Sequence, residues 1–295
     1  MRNTQQLRLL LSQDKLVVAP GAYDGMTARL IQQAGFDLVY MGGALTSATH
    51  GLPDYGITTM TEIVANASRI SGAINVPLIC DADTGYGNEL NVTRTVHEFE
   101  RHGIAGIHIE DQVFPKRCGH LAGKQVVPIE DFVSKIRAAV AARRDPDFLL
   151  IARSDAIAPL GFEAAIARVN AAIEAGADMA FIDAPQTMDQ VRLIPQMVKG
   201  PCLLNIVSGG KTPDIDLDMA QEMGYKLVIL SSLMIFAALK AFDDVLQTVK
   251  ATRKPPAGSS TPQLRELFQR LGSDEWDVVR ERFSRNELGF KTDLT

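Results

Sequence analysis

Short apolar runs alternate with longer amphipathic stretches along most of the chain. The runs Leu16–Pro20, Asp37–Met41, Pro77–Asp83, Gly106–Glu110, Phe148–Ser154, Met179–Asp183, Cys202–Val207 and Leu227–Ser231 are continuously apolar rather than alternating. That is the pattern of parallel strands covered on both faces. Between them, apolar residues recur at helical spacing over Asp24–Ala34, Thr61–Ser71, Leu90–Arg101, Ile129–Ala142, Phe162–Ala175 and Met188–Val198. Gly35, Gly103, Gly176 and Gly224 stand near predicted helix ends, where C-cap glycines belong. A helix–glycine–strand phrase recurs as QQAGFDLVYM, ERHGIAGIHIE, IEAGADMAFID and QEMGYKLVIL.

Eight such strands with helical crossovers predict an α/β chain folded as a (β/α)8 TIM-type barrel. The alternative, a doubly wound open sheet, usually carries a glycine-rich first turn, and none is evident. A further helix is predicted over Leu233–Lys250. The segment ATRKPPAGSSTP then reads as a linker, followed by short helices near Gln263–Leu271 and Asp274–Phe283 and a polar tail. The expected organisation is a barrel over 1–250 and a helical extension over 251–295.

Composition narrows the class. The 295 residues carry a formal net charge of -5, a poor basis for general nucleic-acid binding. The three cysteines, Cys80, Cys118 and Cys202, fit neither a disulfide framework nor a zinc pattern, and read as free thiols. Met1–Gln13 lacks a long apolar core, and no apolar run approaches the roughly 20 residues of a membrane helix. A cytoplasmic protein without a membrane partner is expected.

Barrel active sites lie at the C-terminal ends of the strands. Polar residues gather there: Asp81 and Asp83 after the third apolar run, His108 and Glu110 at the fourth, Arg153 and Asp155 at the fifth, Asp183 at the sixth and Asn205 at the seventh. Asp81 and Asp83 are two apart and so share one side of a strand. His108 shares a face with Glu110 in the same way. Carboxylates converging at one rim repel unless a cation neutralises them, and hard oxygen ligands suit Mg²⁺ or Mn²⁺. For any single strand-end Asp, a helix cap is the commoner role. A second cluster, Lys116–Arg117–Cys118–Gly119–His120, lies in a connection that is long enough to form a lid from Val113 to Pro128. Its flanking cations are expected to lower the Cys118 pKa, whereas Cys80 and Cys202 read as buried packing. Arg153 is a candidate clamp for a substrate carboxylate, or a partner for Asp183 and Asp83.

The texts GLPDYG (51–56), DADTGYGN (81–88), GIHIEDQVFPKRCGH (106–120), ARSDA (152–156) and NIVSGGKTP (205–213) resemble the isocitrate lyase / phosphoenolpyruvate mutase superfamily, and the Lys-Arg-Cys-Gly-His phrase resembles its lyase branch. The resemblance implies Asp83 as a direct Mg²⁺ ligand, with Asp81 and Glu110 ligating mostly through water, and Asp54 in the same acidic site. It implies Arg153 on a substrate carboxylate, Asn205 at the substrate's other end, and Cys118 as acid/base on a gating loop. It also implies a homotetramer with C-terminal helices exchanged between subunits. Two positions depart from the family pattern. A Ser or Thr is usual where Met41 precedes Gly42 and Gly43, leaving only backbone donors there for a carboxylate, and Glu is usual where Asp183 stands.

The activity so implied is metal-dependent cleavage of a small 2-hydroxy di- or tricarboxylate, 2-methylisocitrate- or dimethylmalate-like. The products are a 2-oxo acid such as pyruvate and a carboxylate. His108, Tyr40 and Glu110 are candidate bases. The rival readings are oxaloacetate hydrolysis or decarboxylation, phosphonate mutation on the same scaffold, and a non-catalytic binding protein.

Overall fold

The computed structural model describes residues 1–256 and 263–284; the end of the expected linker, 257–262, and the polar tail, 285–295, lie outside the described residues. Eight strands form one parallel sheet: β1 (Val17–Pro20), β2 (Val39–Met41), β3 (Leu78–Asp81), β4 (Gly106–Glu110), β5 (Leu149–Ser154), β6 (Met179–Ile182), β7 (Cys202–Asn205) and β8 (Leu227–Leu230). Their order is β1-β8-β7-β6-β5-β4-β3-β2. A bridge between Gly21 and Tyr40, with the Ala22 amide donating to the Tyr40 carbonyl at 2.8 Å, brings β1 to β2 and nearly closes the barrel. The open doubly wound alternative is thereby set aside.

The helices are α1 (Asn3–Ser12), α2 (Gly25–Gln33), α3 (Gly43–Thr49), α4 (Met60–Ala73), α5 (Glu89–Arg101), α6 (Ile129–Ala142), α7 (Ile157–Leu160), α8 (Phe162–Glu174), α9 (Met188–Met197), α10 (Leu217–Glu222), α11 (Leu233–Thr252), α12 (Leu264–Arg270) and α13 (Ser273–Arg282). Local chemistry explains their starts. Asp24 accepts from the Thr27 amide, Thr59 and Glu62 form a reciprocal capping box, and Asn88, Thr187 and Asp216 cap α5, α9 and α10. The four expected C-terminal glycines all have φ between 74° and 106°, the left-handed turn that ends a helix.

Strand parity divides the core. One set of alternate residues, among them Val17, Leu38, Ile79, Leu149, Ile151, Phe181, Leu203 and Ile229, packs together as the barrel interior. The other set, such as Val39, Cys80, Ile107, Ile109 and Leu150, packs with helix side chains outside it. Cys80 and Cys202 are both buried, as expected of packing residues.

The chain separates into two compact units, Met1–Ala238 and Leu239–Thr295. The second unit holds most of α11 together with α12 and α13. It exposes Phe242, Leu246, Leu264, Phe268, Trp276 and Phe283. No helix among the described residues is long and apolar enough to cross a membrane.

Candidate active site

The interior-facing parity of the strands continues upward into charge. Above Ile79 stands Asp81, above Ile151 stands Arg153, above Phe181 comes Asp183, and above Leu203 comes Asn205. Register fixes their neighbours: Asp81 pairs across to His108, and Glu110 to Arg153. Asp81, Asp83, His108, Glu110, Arg153 and Asp183 are all buried.

Arg153 is the hub. Its Nε donates to Asp155 Oδ2 at 2.8 Å, and its Nη2 donates to Asp183 Oδ2 at 3.1 Å. Its Nη1 lies 3.2 Å from Glu110 Oε2 and 3.8 Å from Asp81 Oδ2. Of the two partners expected for it, Asp183 is present. Asp83 instead faces Lys116, whose Nζ lies 2.9 Å from Asp83 Oδ1 and 2.5 Å from Asp54 Oδ1.

Asp83 does not lie in a strand. β3 ends at Asp81, and Asp83 adopts φ 45°, a conformation that L side chains seldom hold. Its amide donates to Asp81 Oδ1 at 2.9 Å, and its carbonyl accepts from the Glu110 amide at 2.8 Å. The shared site of Asp81 and Asp83 is therefore made by a backbone turn, not by strand alternation. Burial, with Asp81 and Asp54 nearby, pushes the Asp83 carboxyl up to about 6 against the pull of Lys116. Burial opposes ionisation of Asp81 as well, but His108, Lys116 and Arg153 outweigh it and hold that carboxyl low, near 2. Glu110 is raised well above the usual range by burial.

Tyr40, His108 and Asp81 form a line. The Tyr40 hydroxyl is 3.0 Å from His108 Nε2, and His108 Nδ1 is 3.5 Å from Asp81 Oδ1. Burial lowers the His108 pKa to about 4 and raises the Tyr40 phenol well above its ordinary value, so both are neutral near pH 7. Of the two backbone donors expected at Gly42 and Gly43, the Gly43 amide is engaged with Asp81 Oδ2 at 3.2 Å. A Cβ on Gly43 would fall 2.8 Å from Asp83 Oδ1 and 3.2 Å from Asp81 Oδ2, so a side chain there would have to displace these carboxylates. Asn205 accepts from the Ser231 hydroxyl at 2.8 Å and turns its amide toward Asp183 Oδ1 at 3.4 Å.

The loop between β4 and α6 folds down on this rim. Its base is pinned by a Gln112–Val126 bridge, and the Cys118 amide donates to the Asp54 carbonyl at 3.2 Å. Cys118 is half-buried. The expected lowering of its pKa is overturned: burial pushes the thiol up, and Asp54 and Asp183 add to the rise. Adjacency in sequence misleads here, because Lys116 spends its charge on Asp54 and Asp83. His120 is neutral for the same reason of burial, and its Nδ1 accepts from the Lys211 amide at 3.0 Å.

Sequence reasoning did not single out Lys124, which donates to Asp155 Oδ1 at 2.9 Å, or the buried Asp111–Arg168 pair at 2.6 Å. A loop lysine and a helix arginine look solvated until the topology shows their partners.

Among the described residues no group of three or more His, Cys, Asp and Glu side chains makes a ready-made metal cage. Yet Glu110 Oε1 is buried without a partner, and Asp83 Oδ1 and Glu110 Oε2 have only their ion-pair contacts with Lys116 and Arg153. These under-satisfied hard oxygens beside Asp81 fit a cation that keeps several waters and takes one or two carboxylates, as Mg²⁺ commonly does.

The phosphoenolpyruvate phosphomutase family model matches residues 7–250. The chain belongs to the phosphoenolpyruvate phosphomutase family. This bears out the superfamily that the sequence motifs resemble. It is 46% identical over 251 residues to 2,3-dimethylmalate lyase of Eubacterium barkeri, covering 85% of this chain and 87% of that protein. It is 45% identical over 250 residues to 2-methylisocitrate lyase of Aeropyrum pernix, covering 84% and 80% respectively. Among solved structures of the phosphoenolpyruvate phosphomutase fold, a 2,3-dimethylmalate lyase in a trigonal crystal form superposes with a TM-score of 0.92 at 39% identity, covering 100% of this chain and 99% of that one. Oxaloacetate acetylhydrolase bound to 3,3-difluorooxalacetate gives 0.91 at 37% identity, covering 95% and 96%. Phosphonopyruvate hydrolase bound to oxalate and Mg²⁺ gives 0.88 at 32% identity, covering 96% and 99%. The chain is thus an enzyme of a family whose named relatives act on small carboxylates.

Proposed function

We propose that the protein is a carbon–carbon lyase dependent on Mg²⁺ or Mn²⁺ that cleaves a 2-methylisocitrate- or dimethylmalate-like 2-hydroxy acid into a 2-oxo acid such as pyruvate and a carboxylate. The observation that carries this reading is the placement of a protonated Cys118 thiol on a loop folded over the Arg153 and carboxylate rim. Asp83, Asp81 and Glu110 would hold the ion. When bound, it would draw charge from the substrate's hydroxyl and carboxylate oxygens.

This chain's own groups supply the rest. Arg153 takes a substrate carboxylate and faces the charge that grows as the C2–C3 bond breaks. Asp54, Asp183, Asn205 and the Gly42–Gly43 backbone bound the pocket. Of the candidate bases for the 2-hydroxyl proton, neutral His108 has one nitrogen, Nδ1, without a hydrogen bond, 3.5 Å from Asp81 Oδ1. The electron pair of the broken bond passes to the leaving carbon, and the Cys118 S–H protonates it. A thiol kept protonated by burial suits a proton donor better than the acidified thiol that the sequence suggested.

The test is a screen of 2-hydroxy di- and tricarboxylates with coupled detection of pyruvate and glyoxylate. Cleavage should require Mg²⁺ or Mn²⁺ and stop in EDTA. Full activity after exhaustive chelation would refute the metal role. A second reading, hydrolysis of oxaloacetate, is favoured by the likeness to oxaloacetate acetylhydrolase. Release of oxalate with no cleavage of hydroxy acids would select it.

The family reading and the apolar side chains exposed on α11, α12 and α13 support a homotetramer in which these helices are exchanged between subunits. Light scattering at micromolar concentration should give four copies, and a monomer would contradict the exchange. The soluble, cytoplasmic setting is part of the same proposal.

A further inference from the structure

The loop that carries Cys118 is fastened by a lysine that the scheme above leaves unused. Lys124 lies on the returning arm of that loop, with its side chain only 1% exposed. Its ammonium donates to the Gly119 carbonyl at 2.5 Å and to Asp155 Oδ1 at 2.9 Å. Gly119 is the residue next to Cys118. Its α-carbon rests on the barrel rim so closely that a Cβ would fall 1.6 Å from Asp183 Oδ2 and 2.7 Å from Arg153 Nη2. The other oxygen of Asp155 accepts from Arg153 Nε at 2.8 Å. Asp155 is itself anchored, since its amide donates to Asp111 Oδ1 at 2.8 Å and Arg168 secures Asp111 Oδ2 at 2.6 Å.

One carboxylate thus joins the loop's cation to the rim's guanidinium. Removing an ammonium from water carries a penalty that only a well-placed partner offsets. With the loop in this position Lys124 has both partners, the Gly119 carbonyl and the Asp155 charge. We propose that Lys124 is a positioning residue: its ammonium clamps Gly119, and with it the Cys118 thiol, onto the Asp155–Arg153 pair. Its importance to turnover rests on the reading of Cys118 as proton donor, whereas the clamp itself does not depend on the substrate.

The test is alkylation of the full-length protein by iodoacetamide at fixed pH, followed by mass spectrometry. Buried Cys80 and Cys202 serve as internal references. Lys124→Met should speed modification of Cys118 by about tenfold or more, because losing one partner of a buried pair frees the other to open. Cys80 and Cys202 should stay unreactive, which marks the effect as local to the loop. Lys124→Arg should restore most of the protection. On a cleaved substrate, Lys124→Met should lower kcat more than it changes KM, since a misplaced donor costs chemistry rather than binding.

A wild-type Cys118 rate in Lys124→Met would overturn the proposal. So would equal acceleration at all three cysteines, which would mark general loosening. If Lys124→Met does not fold, Lys124→Gln and Asp155→Asn attack the same contact from its two sides, and wild-type rates in both would overturn it. If neither folds, hydrogen exchange of the wild type decides: slow amides over 116–121 support the clamp, and exchange as fast as in a free loop contradicts it. Alkylation needs no substrate, so its failure would remove the clamp and leave the lyase reading standing. Absence of wild-type turnover would do the reverse.

Discussion

Along β5, Leu149 and Ile151 face the barrel interior low down, and two residues on, in the same parity, Arg153 faces it at the rim. The same step separates Ile79 from Asp81, Phe181 from Asp183 and Leu203 from Asn205. The lower interior is apolar and close-packed, where every buried group contributes to stability. The upper interior holds Asp81, Asp83, Glu110, Arg153 and Asp183 at similar depth, some with oxygens that lack any hydrogen bond. Such an arrangement weakens a fold unless a ligand completes it. The two halves differ in purpose while sharing one backbone pattern: the lower half holds the strands in register, and the upper half spends that rigidity on holding like charges together.

The comparison predicts opposite responses to mutation. Leu149→Ala in the lower half should cost about 2–5 kcal/mol of unfolding free energy, through lost burial and a residual cavity. Turnover per folded molecule should hardly change. Denaturant titration and active-site-normalised kinetics check both parts, and an equal loss of activity would erase the division. The smaller effect lies at the rim. Asp83 keeps its proton up to about pH 6 in the fold, above the roughly 3.9 of an unfolded aspartate. Between those values the unfolded chain sheds its proton first, so Asp83 contributes a loss of stability to metal-free protein as pH rises from about 4 to about 6, opposed over the same range by His108, whose folded pKa is held near 4. Asp83→Asn should remove the Asp83 contribution, so that its stability relative to wild type grows across this range, by on the order of 1–3 kcal/mol at pH 7, while abolishing turnover. Thermal melts of metal-free wild type and variant across this range read the effect. A variant that is less stable at pH 7 would refute the account of the rim.

Much of the fold was legible because its signals are local. Continuous apolar runs, side-chain caps and terminal glycines set the eight strands and the long helices to within about two residues. Within the barrel α1, α3 and α7 escaped notice. α3 has the text GALTSAT, small and polar without a helical period, and α7 spans four residues. At the site, Asp81, Glu110, Arg153, Asp183 and Asn205 were visible because each ends a strand, and barrel geometry brings strand ends together. The lysines were not visible for what they do. Lys116 reads as a neighbour of Cys118, yet it pairs with Asp54 and Asp83, and Lys124 reads as a solvated loop charge, yet it is buried against Asp155. The thiol's environment was misjudged for the same reason: its pKa depends on which charges fold against it, not on which residues adjoin it in the chain.

The central claim is that Cys118 donates a proton from outside the metal's ligand set. Steady-state kinetics of Cys118→Ala on a cleaved 2-hydroxy acid, with calorimetric Mg²⁺ titration of the same sample, tests it most directly. The account predicts that turnover falls by about 10²–10⁴-fold, the usual cost of losing a general acid. It also predicts that Mg²⁺ binding is kept, and that Cys118→Ser is nearly as impaired as Cys118→Ala. Near-wild-type turnover in Cys118→Ala would contradict the lyase mechanism.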